Sequence, residues 1–259
     1  MTIMWRNSAL ASRHAAIGGE LEDWNGMGTA WFYGPDRAKA DYEAIRTKAG
    51  LMDVSGLKKV HVVGPHAAYV IDRVTTRAVD KIPHGRCKYA CILNTEGKFI
   101  DDCIIYHLSV NSWLVVHGTG LGMEQLTAVA AGKNCAVLFD DDLHDMSLQG
   151  PVAVDFLAKH VPGIRDLNYF SFISTNLFKK RVMLSRTGYT GERGYEIFCQ
   201  AADAGYIWDQ ILADGADMGI RPVGFSTLDW LRVESYLLFY PADNSETFPF
   251  ESGEPAGDP

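Results

Sequence analysis

Two carboxylates stand where strand-forming sequence makes them costly. The first, Glu196, lies between Tyr195 and Ile197 in the apolar run Tyr195 to Cys199. A buried carboxylate without a partner is expensive. Just upstream, Thr187-Gly-Tyr-Thr-Gly-Glu-Arg-Gly194 joins that run to another, Arg181 to Ser185. Two short apolar runs linked through several glycines predict a hairpin with a long, loose connection. Its glycines let backbone come close to something flat or bulky. An acceptor-only carboxylate beside Tyr189 suits a ring with adjacent N–H donors, as in a pterin or purine. Alternatively, Arg181, Arg186 or Arg193 pairs with Glu196 across the hairpin.

The second carboxylate lies in Phe99-Ile-Asp-Asp-Cys-Ile-Ile-Tyr106. Strand alternation puts Ile100, Asp102, Ile104 and Tyr106 on one face and Asp101 on the other. One aspartate is then solvated and the other buried among isoleucines. Carboxylates on opposite faces neither share a proton nor flank a glycosidic bond. A buried aspartate either caps a loop or carries chemistry through a shifted pKa or a fixed charge.

Other patterns carry less. Trp113-Leu-Val-Val-His-Gly-Thr-Gly-Leu-Gly-Met123 reads as a strand entering a Gly-rich turn, with Asp140 beyond the next strand. A dinucleotide turn has that outline. Here, however, Met123 takes the place of the third glycine, and only one βαβ unit is present. The eight histidines form no HExxH and no cluster with Cys or Asp, so no metal site is expected. There is no GxSxG elbow and no P-loop. Trp24, Trp31, Phe32 and Tyr33 read as core.

The elements that position these groups follow from periodicity. Asp36 to Ala49 predicts a helix stopped by Gly50. Val60 to Val63 is a strand, and Pro65 opens a helix through about Arg77. Strands follow over 87–93, 97–108 and 112–117, then a helix over 122–131 and a strand over 135–139. Gly150-Pro151 with Ala153 repeats Gly64-Pro65 with Ala67, hinting at two similar modules. Strands near Phe170 and Lys180 lead into the hairpin, and helices are expected over 204–218 and 226–237. Strands mixed with helices make an α+β chain. The tail from Ser245 is rich in Pro, Gly, Ser and Glu and reads as poorly ordered.

Composition narrows the function. The chain has 259 residues, is 47% hydrophobic and carries a formal charge of −8, with a pI near 5.4. That acidity argues against a nucleic-acid partner. No apolar run approaches membrane-spanning length, and the start has no signal-peptide core. Five cysteines without a CxxC read as reduced thiols of a cytoplasmic protein.

Several stretches together resemble the glycine-cleavage T-protein (aminomethyltransferase) family, which includes folate-dependent demethylases. They are Ile45 to Ser55, Gly64-Pro65, Gly85 with Tyr89, Gly97-Lys-Phe-Ile-Asp-Asp102, Gln149-Gly-Pro151, Tyr169 to Phe172, Arg186 to Gly191 with Gly194-Tyr-Glu196, and Asp229 to Glu234 with Tyr240. The resemblance runs from about residue 8 to 245. It implies a folate-binding domain over 1–58 and 146–245, an inserted ferredoxin-like domain over 59–145 and a tail over 246–259. The family's C-terminal β-barrel is expected to be absent from this chain.

The resemblance also implies chemistry: transfer of a methyl or aminomethyl group from a small donor, or from a lipoyl carrier protein, to tetrahydrofolate. Asp102 takes the place of the family's essential aspartate, and Glu196 that of the carboxylate gripping the pterin. Tyr89, Tyr169 and Tyr189 match cleft aromatics, and His117 falls where the family has an asparagine. No metal is implied. Leu228 stands where T-proteins have an arginine, which puts their folate-tail contact in doubt. A non-catalytic folate-binding protein, or a nucleotide-binding oxidoreductase built on the 118–122 turn, are the other readings.

Overall fold

The computed structural model describes residues 5–34 and 37–244. The chain divides into two compact units. One comprises Met1–Gly56 and Asp142–Leu237, the other Leu57–Asp141 and Leu238–Pro259. The expected helix start at Asp36 and the tail from Ser245 lie outside the described residues.

The first unit begins with β1 (Arg6–Asn7), α1 (Ala11–Ala16), β2 (Glu20–Trp24) and β3 (Met27–Phe32). β3 pairs parallel with β1 and antiparallel with β2. Trp24 and Tyr33 are buried as core, and the half-buried Trp31 stacks on Phe225 at 4.7 Å. Next come α2 (Ala38–Thr47) and β4 (Ala49–Asp53). The helix predicted through Ala49 thus ends sooner, because Ala49-Gly-Leu-Met-Asp53 forms a central strand. It lies between two neighbours and is buried throughout, so it shows no alternation to read.

The second unit contains β5 (Lys58–Val63), α3 (Ala67–Val74), β6 (Cys87–Leu93), β7 (Phe99–Ser109), β8 (Ser112–His117), α4 (Gly122–Ala130) and β9 (Ala136–Phe139). The strands form an antiparallel sheet in the order β6-β7-β8-β5-β9. One face packs Val60, Val62, Ile92, Ile105 and Val115 against Val70, Ile71 and Val74 of α3 and Leu126 of α4. The opposite face carries Tyr89 and Cys91 of β6, directly across from Ile104 and Asp102 of β7. The helix after Pro65 is shorter than predicted, because Thr75 turns extended and bridges to Ile92.

The chain then returns to the first unit with β10 (Leu143–Gln149), α5 (Ala153–Ala158), β11 (Phe172–Leu177), β12 (Lys180–Ser185), β13 (Gly194–Gln200), α6 (Ala201–Gly215), β14 (Ile220–Pro222) and α7 (Ser226–Glu234). The sheet order is β11-β12-β13-β10-β4-β14, with β14 parallel to β4 and the other pairs antiparallel. Leu51, Leu148, Leu184 and Ile197 pack against Phe156 of α5 and against Ile207, Trp208 and Ile211 of α6.

The repeated Gly-Pro signal has a structural cause. Gly64 and Gly150 each end a strand at φ +131° and +134°, ahead of α3 and α5. A Cβ on Gly64 would meet Asn134 O at 2.6 Å, and one on Gly150 would meet Ile45 O at 2.7 Å. Only glycine meets both demands. The α+β class expected from the sequence holds. Among the described residues, no helix is long and apolar enough to cross a membrane.

Candidate functional site

The Asp101-Asp102 pair departs from simple alternation. Ile92 pairs with Asp101, but Leu93 pairs with Phe99, so Ile100 is an extra residue in β7. Such a bulge turns neighbouring side chains to one side. Ile100 therefore joins the core with Asp101 and does not share the face of Asp102, Ile104 and Tyr106. The expectation of one aspartate buried among isoleucines is met by Asp101, on the side of Ile92, Ile100 and Ile105, while the expectation that the other is solvated is corrected. Asp101 is the fully buried carboxylate, at 0% exposure, and Asp102 is half-buried.

Asp102 is placed by β6. The Tyr89 hydroxyl donates to Asp102 Oδ2 at 3.1 Å. Burial pushes the Asp102 carboxyl up and the Asp101 charge adds to it, while the Tyr89 bond opposes both; the balance is about 6. Burial and the Asp102 charge also raise the Tyr89 phenol, which stays a donor. Two of the expected site residues thus meet.

His117 does not join them; it binds Asp101. Nδ1–H donates to Asp101 Oδ2 at 2.7 Å, and both side chains are fully enclosed. The Gly-rich turn expected to resemble a dinucleotide loop wraps this pair instead. A Cβ on Gly120 would lie 2.7 Å from Asp101 Cβ, and one on Gly122 would lie 2.9 Å from His117 Nδ1. Those glycines are required by a close approach within the protein.

In the first unit, Glu196 sits in a polar ladder on one sheet face, across from Ser147 on one side and Ser185 on the other. The Thr187 hydroxyl donates to Glu196 Oε2 and lies 2.8 Å from Ser185 Oγ. One hydroxyl hydrogen serves one acceptor, so Ser185 donates to Thr187. Gln149 Nε2 donates to Ser147 Oγ at 3.0 Å and to Thr187 O at 3.2 Å, and Thr190 donates to Gln149 Oε1. Of the expected arginine partners, Arg186 donates to Leu167 O and Arg193 to Arg165 O. The hairpin glycines serve this ladder: a Cβ on Gly188 would come within 2.5 Å of Gln149 Cδ, and Gly194 abuts the same amide.

A cavity of about 320 Å³ opens beside the ladder, lined by Tyr169, Thr187, Glu192, Ser235 and Leu237 among others. Tyr169 is 60% exposed and meets Phe170 edge-on at 4.6 Å. Tyr189 is half-buried in the hairpin loop. Leu228, at the position of the family's arginine, is buried on α7.

Sequence reasoning missed a second buried network in this unit. Ser8 Oγ donates to Asp53 Oδ2 at 2.5 Å, and His14 Nε2 lies 3.0 Å from the same oxygen. The Tyr33 hydroxyl and His14 Nδ1 are 2.8 Å apart. Its members are scattered from Ser8 to Asp53 with no common spacing, so no local pattern marks it.

Comparison with known proteins identifies the family. The GCVT N-terminal domain profile matches residues 10–253. A protein named heme-dependent oxidative N-demethylase gamma subunit, from Ectopseudomonas mendocina, is 63% identical over 258 residues, spanning 100% of this chain and 68% of that protein. An aminomethyltransferase of Saccharopolyspora erythraea is 33% identical over 253 residues, spanning 95% of this chain and 68% of that one. The crystal structure of glycine cleavage system aminomethyltransferase T from Bartonella henselae superposes with a TM-score of 0.84 at 26% identity, covering 94% of this chain and 66% of that one. These relatives bear out the expected enzyme type, aminomethyltransferase or demethylase. The chain belongs to the GCVT N-terminal domain family.

Proposed function

We propose that this chain moves a methyl or aminomethyl group from a small donor, or from a lipoyl carrier protein, to tetrahydrofolate. The observation that carries this reading is Asp102, a half-buried carboxylate bonded to Tyr89 and pushed up to about 6. Tetrahydrofolate would supply the amine nitrogen that takes up the carbon. Asp102 is mostly ionised at neutral pH yet basic enough to accept a proton at a carboxylate oxygen. Its charge also stabilises positive charge developing on a transferred carbon. Tyr89 holds that carboxylate in one orientation.

The donor set of the first unit fits a pterin. Glu196 offers acceptor oxygens, the Thr187 hydroxyl donates to one of them, and Tyr169 lines the adjoining cavity. Glu196 would hold ring N–H donors, with Tyr169 and Tyr189 against the ring. The 63% identity to an oxidative N-demethylase gamma subunit supports an N-methyl amine as the source of the carbon and other subunits as partners.

The test is mass spectrometry of methyl- and methylene-tetrahydrofolate after incubation with N-methyl amines and an aminomethyl-lipoyl carrier. Product from at least one donor, and none with Asp102→Asn, is expected. Folate binding without product from any donor supports the non-catalytic reading and overturns this one. So does full product with Asp102→Asn.

A further inference from the structure

Neither the fold nor the proposed transfer accounts for the buried Asp101–His117 pair or for the glycine turn closed over it. Both Asp101 oxygens are engaged. Oδ1 accepts the backbone N–H of Asp102 at 2.9 Å, and Oδ2 accepts Nδ1–H of His117 at 2.7 Å. With its proton on Nδ1, the imidazole leaves Nε2 buried without a hydrogen-bond partner in the structure. As acceptor of both bonds, Asp101 presents an enclosed carboxylate whose charge acts on Asp102.

That charge sits directly behind Asp102. The bulge at Ile100 sends Asp101 to the core side while Asp102 stays on the open face. The turn 118–122 lies so close over the pair that a Cβ on Gly120 or Gly122 would clash with Asp101 or His117, and both side chains are fully enclosed. A charge in so enclosed a place is screened little. We propose that Asp101 and His117 form a positioning pair for Asp102: they pin its backbone at the bulge and keep a fixed negative charge behind its carboxylate.

This rests on Asp102 being the reacting carboxylate. A fixed charge makes Asp102 a better proton acceptor than an ordinary aspartate, in keeping with the upward push already described. The other titratable groups around Asp102 are Tyr89 and Cys91 on β6 and Cys103 on β7. On β5, Lys58 Nζ donates to Gly120 O at 3.3 Å, and Glu124 lies in the first turn of α4.

The test combines two readouts on the full chain: a ¹³C-NMR titration of the Asp102 carboxyl, and the pH profile of tetrahydrofolate-dependent turnover. In Asp101→Asn the Asp102 midpoint should fall by about one pH unit, the scale of a close charge. In His117→Leu the buried Asp101 loses its donor and retains a proton, so the midpoint should fall likewise. His117→Asn keeps an N–H towards Asp101 and should restore the midpoint. The acid limb of turnover should follow each shift. If Asp101→Asn does not fold, His117→Leu and His117→Asn still decide. A midpoint that stays or rises in the folded charge-removing variants overturns the proposal. Full turnover in Asp102→Asn instead removes the catalytic reading, while the titration continues to test the pair.

Discussion

Tyr89 and Asp102 meet across adjacent strands, hydroxyl to Oδ2 at 3.1 Å. They are offset by one pleat, since Cys91 is the residue directly opposite Asp102. The bond favours the ionised carboxylate. Tyr89→Phe removes that donor, so the Asp102 midpoint should rise above about 6. Turnover that needs the carboxylate should then lose rate between pH 6 and 7 and recover above pH 8. A pH profile unchanged from the wild type would mean that the bond does not act on the chemistry.

Asp102 also predicts a trade between activity and stability. Its folded value, about 6, lies above the ordinary 3.8. A raised carboxylate binds its proton more tightly when folded, so stability falls as pH rises from about 4 to 6. Asp102→Asn removes that loss and can still accept from Tyr89. The variant should be inactive yet more stable than the wild type at pH 7, by about 1–2 kcal/mol. The gain should vanish below pH 4. Urea unfolding at both pH values checks this, and lower stability of the variant at pH 7 would refute it.

Glu196→Gln turns one acceptor oxygen into a donor within the ladder of Thr187, Ser185 and Gln149. Donors of a bound ring would then face another donor. The loss should be about 1–3 kcal/mol, or roughly tenfold or more in the dissociation constant for tetrahydrofolate. Titration calorimetry measures it. Unchanged affinity would confine Glu196 to holding the hairpin.

Asp53 should govern acid stability. Burial pushes its carboxyl up, but the bond and charge of His14 with the bonds from Ser55 and Ser8 outweigh that and bring it to about 2. A depressed carboxylate stabilises the fold above its ordinary value, and that contribution disappears as pH falls through about 4 to 2. Urea unfolding should show a loss on the order of 2 kcal/mol over that window. His14→Ala should flatten it. An equal slope in the variant would place the acid sensitivity elsewhere.

The Gly-Pro junction gives a backbone test. Gly150→Ala forces a side chain at φ +134° against Ile45 O, and should cost about 2 kcal/mol or more. Gly97→Ala, at φ +81° with nothing within 4 Å, should cost only about 1 kcal/mol. Thermal unfolding of the two variants compares them. Equal losses would mean that backbone strain alone, without the close approach, sets the requirement.

Much of this protein was legible because local rules act over short distances. Alternating apolar runs identified β7, β8, β12 and β13, and Gly64-Pro65 and Gly150-Pro151 marked both strand-to-helix corners. The motif around Asp102 and the hairpin leading to Glu196 were visible as carboxylates in apolar sequence. Central strands were harder. In β4 both faces are covered, so hydrophobicity carries no period to distinguish strand from helix.

By itself the sequence determined which groups could do chemistry, the α+β class and the family, since each rests on residue type and short spacing. Tertiary structure alone decided which aspartate is enclosed. One extra residue at Ile100 moved that side chain from the face of Asp102, where alternation assigns it, into the core beside Asp101. It also decided the partner of His117 and the purpose of the 118–122 glycines, because those depend on the approach of strands far apart in sequence. The same holds for Ser8, His14, Tyr33 and Asp53, which share no spacing and meet only after the chain has folded.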